Sequence, residues 1–291
     1  MRIALATTRE LPAMDEDDAL LLAALTAVPG VEAQVLAWEA DVEWAAWDLV
    51  VLRSTWNYTA HLEDFLAWAA RVAAVTRLAN PLPVVRWNTH KTYLADLAAA
   101  GIPVVPTAYI PPATAATAAA LAGDVVVKPT VGAGSRGAAL FHHQPHAAAA
   151  HVAALHAQGL TAMVQPYLEH VDTHGETALV WWGGEFSHAA RKGAILSRQM
   201  SWSTGVYADE EITDTTPTAA ELALARRVLD VLPDVVPGFA PLAYARVDLL
   251  PTASGPVVLE VELTEPSLFL ALDGAAPARG AAVLCALGAA T

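Results

Sequence analysis

Apolar residues in this chain fall into short unbroken runs, separated by longer segments in which they recur every three or four positions. Residues 2–6 read as a short buried strand, 31–38 as a second, and 49–52, with no polar alternation, as a third covered on both faces. Between the first two strands, Asp15, Glu16, Asp17 and Asp18 open the apolar-periodic run 19–28. Acidic residues in a first helical turn complement the helix dipole, so this run reads as a helix. Leu62, Phe65, Leu66 and Trp68 set a second helix over 61–75. Strands and helices alternating across short loops predict a parallel α/β sheet that binds ligands at the carboxyl ends of its strands.

Asn80-Pro81-Leu82-Pro83 is the first break in this alternation. Beyond it the pattern predicts a helix over 89–100, stopped by Gly101 and Pro103, and a strand over 104–110. A helix over 114–122, a strand over 125–129, a glycine loop over 132–137, a helix over 146–158 and a strand over 163–167 follow. The last third reads as strands over 176–182, 186–192, 243–250 and 257–263, with helices over 219–231 and 269–289. No internal repeat is visible.

Composition narrows the classes. The 291 residues are 55% hydrophobic and 16% charged, which excludes a disordered acidic chain and suits two domains or three small ones. Lys and Arg number 16 against 30 Asp and Glu, a formal charge of −14. The densest basic stretch is Arg191-Lys192 with Arg198, too sparse for a general nucleic-acid binder. An acidic protein that binds an anion must gather its few cations locally or recruit a metal. The one cysteine, Cys285, excludes an internal disulfide and a paired-cysteine metal site. The first residues lack a cleavable leader pattern, and the alanine-rich apolar stretches are interrupted, so none spans a membrane. A cytoplasmic protein is expected.

Two local patterns carry chemistry. Lys128 stands at the end of a strand and before Gly132-Ala133-Gly134-Ser135-Arg136-Gly137. Glycines allow positive φ and close backbone approach, so amides can cradle a phosphate while the lysine adds a point charge. The loop lacks the Gly-Lys-Ser/Thr ending of a P-loop, and a plain hairpin turn is the competing reading. The second pattern is Arg246 and Asp248 on one strand, Glu260 and Glu262 on another. Residues two apart share a strand face, so neighbouring strands would converge three carboxylates and a guanidinium on one surface. Oxygen ligands of this kind suit Mg²⁺, whereas surface ion pairs on a solvated face are the alternative.

The order Lys91, then Lys128 and its glycine loop, then Gln165-Pro166-Tyr167-Leu168 before Gly175-Glu176, then Arg-Val-Asp and Glu-x-Glu resembles the ATP-grasp superfamily of carboxylate–amine ligases. That superfamily includes the D-alanine–D-alanine ligases and bacterial glutathione synthetases. The resemblance covers essentially the whole chain. It implies a Rossmann-like domain over 1–85 for the substrate, a central lid subdomain over 86–165 and a catalytic subdomain over 166–291.

By this resemblance Lys91 and Lys128 contact ATP phosphates, and Gly132, Gly134, Ser135 and Gly137 belong to the loop that closes over them. Gln165, Tyr167 and Leu168 match the hinge that reads adenine, and Glu176 the acid that holds the ribose. Asp248 and Glu260 match magnesium ligands. Glu262 stands where asparagine is common, so two Mg²⁺ ions meet one extra negative charge. Arg246 matches the arginine that stabilises the acyl-transfer intermediate, and Arg191 is a further candidate for the transferred phosphate or a substrate carboxylate. The implied reaction passes through an acylphosphate that a nitrogen nucleophile attacks. Homodimers are frequent among such ligases.

Arg53, Ser54, Thr55 and Asn57, just past the third strand, are candidates for reading a small amino-acid substrate, with an interdomain salt bridge as the alternative for Arg53. Thr264-Glu265-Pro266-Ser267 follows the metal strand and is suited to complete a small polar pocket. With Arg-Ser-Thr-Trp-Asn-Tyr, this ending makes the chain most similar to the ATP-grasp cyclo-ligases that close O-ureido-serine into cycloserine. The rivals are a ligase joining two amino acids or adding glutamate to a protein tail, and a regulatory ATP-binding module without catalysis. His142, His143, His146, His151 and His156 read as scattered surface residues, and Trp181, Trp182 and Trp202 as packing.

Overall fold

The computed structural model describes residues 1–193 and 211–290; Arg198 and Trp202 lie outside the described residues. The first of its three sheets is parallel, in the order β2-β1-β3-β4. It is built from β1 (Arg2–Thr7), α1 (Glu16–Thr26), β2 (Glu32–Ala37), β3 (Leu49–Leu52), α2 (Leu62–Val75) and β4 (Arg77–Ala79). All of β3 is buried, as its unbroken apolar run requires. Asp15 caps α1 by accepting the Asp18 N–H. In a parallel sheet of this order the start of α1 and the end of β3 share one edge, which brings Asp17 and Asp18 to Arg53.

Next come α3 (Leu82–Asn88) and α4 (Tyr93–Ala99). The helix expected over 89–100 begins only at Tyr93, and α3 before it was not expected, because the chain turns aside between the two. There the Lys91 N–H donates to the Thr130 carbonyl at 2.8 Å, and the His90 ring bonds Thr92 and Thr130. Asn80, in the expected linker, is fully buried. Its amide donates to the carbonyls of Tyr244 and Leu263 at 2.9 and 2.7 Å and accepts the Ala243 N–H at 2.7 Å. Asn88 bonds Val261 and Leu263 in the same way.

The second sheet is antiparallel, ordered β5-β8-β6-β7. It comprises β5 (Ala108–Ile110), β6 (Asp124–Pro129), β7 (Ala139–His142) and β8 (Ala162–Pro166), backed by α5 (Pro145–Ala157). Only 108–110 of the strand expected over 104–110 joins it; Val104 instead bridges Val258 in the third sheet. The helix expected over 114–122 is absent. That segment offers little beyond Leu121 to bury, and the Thr117 hydroxyl diverts the Ala120 N–H into a local turn.

After the short α6 (Val171–His174) comes the third sheet: β9 (Glu176–Trp182), β10 (Glu185–Lys192), β11 (Ile212–Asp214), β12 (Tyr244–Thr252) and β13 (Gly255–Glu262). Its order is β11-β10-β9-β12-β13, all pairs antiparallel. α7 (Ala219–Val235), opened by a Thr218–Glu221 capping box, packs with α4 on one face; Tyr93, Leu97, Leu224 and Val228 meet Leu179 and Val247 there. The helix expected from 269 begins only at Ala276, as α8 (Ala276–Ala289). Phe269 is left-handed, with φ 50°, and Asp17 takes the N–H groups of Leu268, Phe269 and Leu270 at 2.6, 2.9 and 2.7 Å. α8 buries Ala281 and Leu284 among Ile3, Leu49, Trp182 and Tyr244, joining the first and third sheets in one core. Among the described residues no helix is long and apolar enough to cross a membrane.

Gly280 is where α8 meets Trp182. A Cβ there would stand 2.7–3.0 Å from the indole carbons, and that ring is only 3% exposed. Alanine would gain about 1 kcal/mol of helix propensity, but overpacking costs about 1–3 kcal/mol. Gly280→Ala is therefore expected to lower the unfolding free energy, which urea denaturation would measure as a lower midpoint at unchanged slope.

Candidate active site

The second and third sheets face each other across a cleft lined by residues of both. Lys128 enters it from the end of β6, and the glycine loop crosses to β7, so hairpin turn and cleft wall are one structure. Gly134, Ser135 and Gly137 all take positive φ, at 60°, 58° and 74°. Tyr167 and Leu168 line the opposite wall, where the Tyr167 N–H donates to the Asp124 carbonyl at 2.8 Å. Val105, Val171, Leu250 and Leu259 make an apolar slot beside them. The Gln165 amide is turned to Thr107, at 2.9 Å.

The charged residues converge at the inner end. In the β12–β13 register Arg246 faces Glu262 and Asp248 faces Glu260. Arg246 donates to both oxygens of Asp248 at 2.8 and 2.9 Å, to Glu262 at 2.5 Å and to the Ser267 carbonyl at 2.9 Å. Lys91 pairs with Glu260 at 2.8 Å and also reaches the Gly132 carbonyl. Glu176 pairs with Lys192 at 2.9 Å, and the same ammonium lies 3.3 Å from Asp248. Lys128 has no ion-pair partner among the described residues.

Past this network the cleft continues into a second chamber sharing Lys91, Gly132–Ser135, Lys192, Glu260 and Glu262 as walls. Asp15, Trp56, Tyr58, Arg246, Glu265, Ser267 and Phe269 complete it. The expected substrate readers Arg53, Ser54, Thr55 and Asn57 are not among its walls. Arg53, 2% exposed, sits 3.4 Å from Asp18 and 3.9 Å from Asp17. Ser54 lies 2.5 Å from Asp18 and 2.7 Å from Thr7, and Thr55 is fully buried. Asn57 accepts from the Trp38 indole and donates to Glu10 and Glu39. A 3₁₀ turn over Trp56–Ala60 presents Trp56 and Tyr58 to the chamber instead. Arg191 also points elsewhere, donating to the His174 carbonyl at 3.0 Å. Sequence reasoning gave Lys192 no role and named Tyr58 only within its motif, whereas Glu265 and Ser267 stand in the polar pocket expected of the segment after the metal strand.

Burial raises the Asp248 carboxyl, but Arg246 and then Lys192 outweigh it and hold it below the ordinary value. Lys91 and Lys128 do the same for Glu260. Glu262 is pushed up to about 7 by burial, which Arg246 offsets only in part while Glu260 and Asp248 add to it. Glu265 rises to about 8 through burial and then Glu262. Burial lowers Lys128, against Glu260. Among the described residues no three Asp, Glu, His or Cys side chains are gathered as a ready metal cluster. Asp248, Glu260 and Glu262 each turn to a cation of the protein instead. Their oxygens are nevertheless the hard donors that suit Mg²⁺, and the raised Glu262 marks a surplus of negative charge that a divalent cation would relieve. Of the histidines, His142 and His143 flank Asp124, away from this network.

Lys192 and Arg191 are neighbours in sequence but differ in role, and substitution separates them. Losing charged hydrogen bonds worth about 1.5–3 kcal/mol, Lys192→Met is expected to weaken Mg·ATP binding at least tenfold by calorimetry, whereas Arg191→Met stays within about threefold.

A family model described as the N-terminal domain of D-cycloserine synthetase DcsG matches residues 3–80. The cycloserine biosynthesis protein DcsG of Streptomyces lavendulae is 39% identical over 94% of this chain and 95% of its own. The crystal structure of D-cycloserine synthetase DcsG superposes with a TM-score of 0.90 at 37% identity, covering 99% of this chain and all of that one. At 12% identity, the D-alanine–D-alanine ligase of Bacillus anthracis, solved in complex with ATP, superposes with a TM-score of 0.67 over 99% of this chain and 97% of its own. That last likeness shows the ATP-grasp fold alone. The identity to the Streptomyces protein, sustained over nearly both chains, shows more: this chain belongs to the DcsG family of D-cycloserine synthetases.

Proposed function

We propose that the protein is an ATP-dependent cyclo-ligase that activates the carboxylate of O-ureido-D-serine as an acylphosphate and closes it to D-cycloserine. The observation that carries this reading is the continuity of the cleft behind the glycine loop with a second chamber across a shared wall of Lys91, Lys192, Glu260 and Glu262. A phosphoryl group held in the first and a carboxylate held in the second would meet at that wall.

The slot of Val105, Val171, Leu250 and Leu259 suits a base, with Gln165–Leu168 at its edge and Glu176 near the ribose. Lys91, Lys128, Lys192 and the Gly132–Gly137 loop are placed to hold phosphate oxygens. Asp248, Glu260 and Glu262 would hold Mg²⁺, which when bound neutralises phosphoryl charge. Arg246, fixed by Asp248, Glu262 and Ser267, is suited to hold the oxyanion formed at the acyl carbon. Asp15 offers a carboxylate for the substrate ammonium. Trp56, Tyr58 and Phe269 wall the chamber in which the substrate would sit. The ring nitrogen of cycloserine carries no carbamoyl group, so that group leaves as carbamic acid with uptake of one water.

The deciding assay supplies Mg·ATP and O-ureido-D-serine alone and follows ADP with cycloserine by mass. Turnover on this single substrate is the expected result. ADP release only with pairs of amino acids would replace ring closure by peptide synthesis. Glu260→Gln is expected to reduce turnover by at least about 100-fold, the usual cost of removing an electrostatic contact to a transferred group, with the unfolding midpoint unchanged.

A further inference from the structure

Glu265 stands out among the carboxylates of the site. Asp248, Glu260 and Glu262 each have a lysine or arginine at ion-pair distance. Glu265 has none among the described residues, although it is only 8% exposed. An acid buried without a cation is costly, and an apolar residue would fill the position more cheaply. Its backbone, not its side chain, serves the local structure, since the Glu265 carbonyl accepts the Trp56 indole N–H at 3.1 Å. Tyr58 lines the same chamber, close enough for the two groups to act on each other's proton affinity. Burial, and then Glu265 itself, push that phenol well above its ordinary value, so Tyr58 keeps its proton and is suited to donate to the carboxylate. One such hydroxyl would satisfy only part of a carboxylate that can accept several hydrogen bonds. The remaining acceptor capacity belongs to a group lining the same chamber as Arg246 and Ser267.

Amide formation at an acylphosphate needs a cation for the oxyanion and an acceptor for the nitrogen's proton. Arg246 is suited to the first task. The lysines are poor candidates for the second, because Lys91 and Lys192 are held as cations by Glu260, Glu176 and Asp248, and Lys128 lines the first cleft but not this chamber. Asp248 and Glu262 are bound to Arg246. Resting on the cyclo-ligase reading, we infer that Glu265, oriented by Tyr58, is the catalytic residue that accepts the proton of the ring-closing nitrogen. In this step the nitrogen lone pair forms the carbon–nitrogen bond, and the bond from the acyl carbon to the bridging phosphate oxygen breaks. Phosphate leaves with that electron pair, and the nitrogen's proton passes to Glu265 and then to water. Removal of the carbamoyl group is a separate hydrolytic step. Neither Glu265 nor Tyr58 takes part in forming the acylphosphate.

The test therefore separates activation from ring closure. Wild type, Glu265→Gln and Tyr58→Phe are given Mg·ATP and O-ureido-D-serine with and without hydroxylamine, which intercepts an acylphosphate as a hydroxamate without help from an enzyme base. In Glu265→Gln the ring product is expected to fall about 100-fold or more, the low end of general-base contributions, while ADP release with hydroxylamine stays within about threefold of wild type. Its product is then the hydroxamate. Tyr58→Phe should shift the same partition by about tenfold, within the range of one oriented hydrogen bond to a charged group, and it carries the comparison if Glu265→Gln does not fold. Unchanged ring formation, or ring product and hydroxamate falling together, would overturn the assignment. Wild type that releases ADP but yields no ring product would instead sink the cyclo-ligase reading, and the role of Glu265 with it.

Discussion

The Arg246 guanidinium, 5% exposed on β12, is the constraint around which the site is arranged. A charge so placed is tolerable only when its donors are occupied and its charge is answered. Asp248 answers it from the same strand, Glu262 from the neighbouring strand and the Ser267 carbonyl from the loop beyond. That loop is fixed from a distance, because Asp17 at the start of α1 gathers its next three N–H groups. Phe269, held in a left-handed conformation by this arrangement, lies 5.1 Å from the guanidinium carbon. The N-terminal sheet thus contributes to the site twice: through the chamber walls Trp56 and Tyr58, and through the helix start that orders the loop under Arg246.

Most of the fold was legible because its strands are unbroken apolar runs and its helices carry clear stripes or caps. The failures have local causes. The helix expected over 114–122 has propensity from alanine but no apolar stripe, and helices gain their stability in proteins chiefly from a buried face. The helix expected from 269 was delayed by Asp17, a residue about 250 positions away, which no local pattern could announce. Asn80 reads as a linker residue because asparagine before proline favours turns. Here its amide instead joins β12 and the loop after β13 to the first sheet.

The site was legible where residue spacing alone sets direction. Arg246, Asp248, Glu260 and Glu262 share a face because they stand two apart on paired strands. Lys192 was missed for a reason the register makes plain. A straight two-residue hairpin closed by Gly183-Gly184 pairs Trp182 with Glu185, and carried along the strands it would set Arg191 opposite Glu176. An irregularity between Phe186 and His188 adds one residue to β10, so Lys192 takes that place and Arg191 turns to the other face. The Arg53 segment was located correctly at a strand's carboxyl end, but which of its side chains face the chamber depends on a 3₁₀ turn. Arg53 and Ser54 are claimed by Asp17 and Asp18, whose proximity follows from the sheet order rather than from either motif.

The ion pairs of the cleft are better explained by binding than by stability. A buried pair rarely gains enough from its attraction to exceed the cost of removing both ions from water. A protein of net charge −14 nonetheless places Lys91, Lys128, Lys192 and Arg246 together around one cavity. Lys91–Glu260 and Lys192–Glu176 hold both signs of charge ready and pre-oriented at the wall between the two chambers. A magnesium–nucleotide carries a cation for the acids and phosphates for the lysines, so each member of a pair can change partner without being left alone in a low-dielectric site. Glu265 lies outside this exchange because, among the described residues, no cation stands at ion-pair distance for it to give up. Its chamber neighbour Tyr58 is a neutral phenol, and a neutral neighbour leaves a carboxylate far more basic than a guanidinium does. The same chamber therefore sets Glu260, kept ionised by Lys91 and suited to binding, beside the buried Glu265, which has no cation of the described residues at ion-pair distance and is suited to taking up a proton.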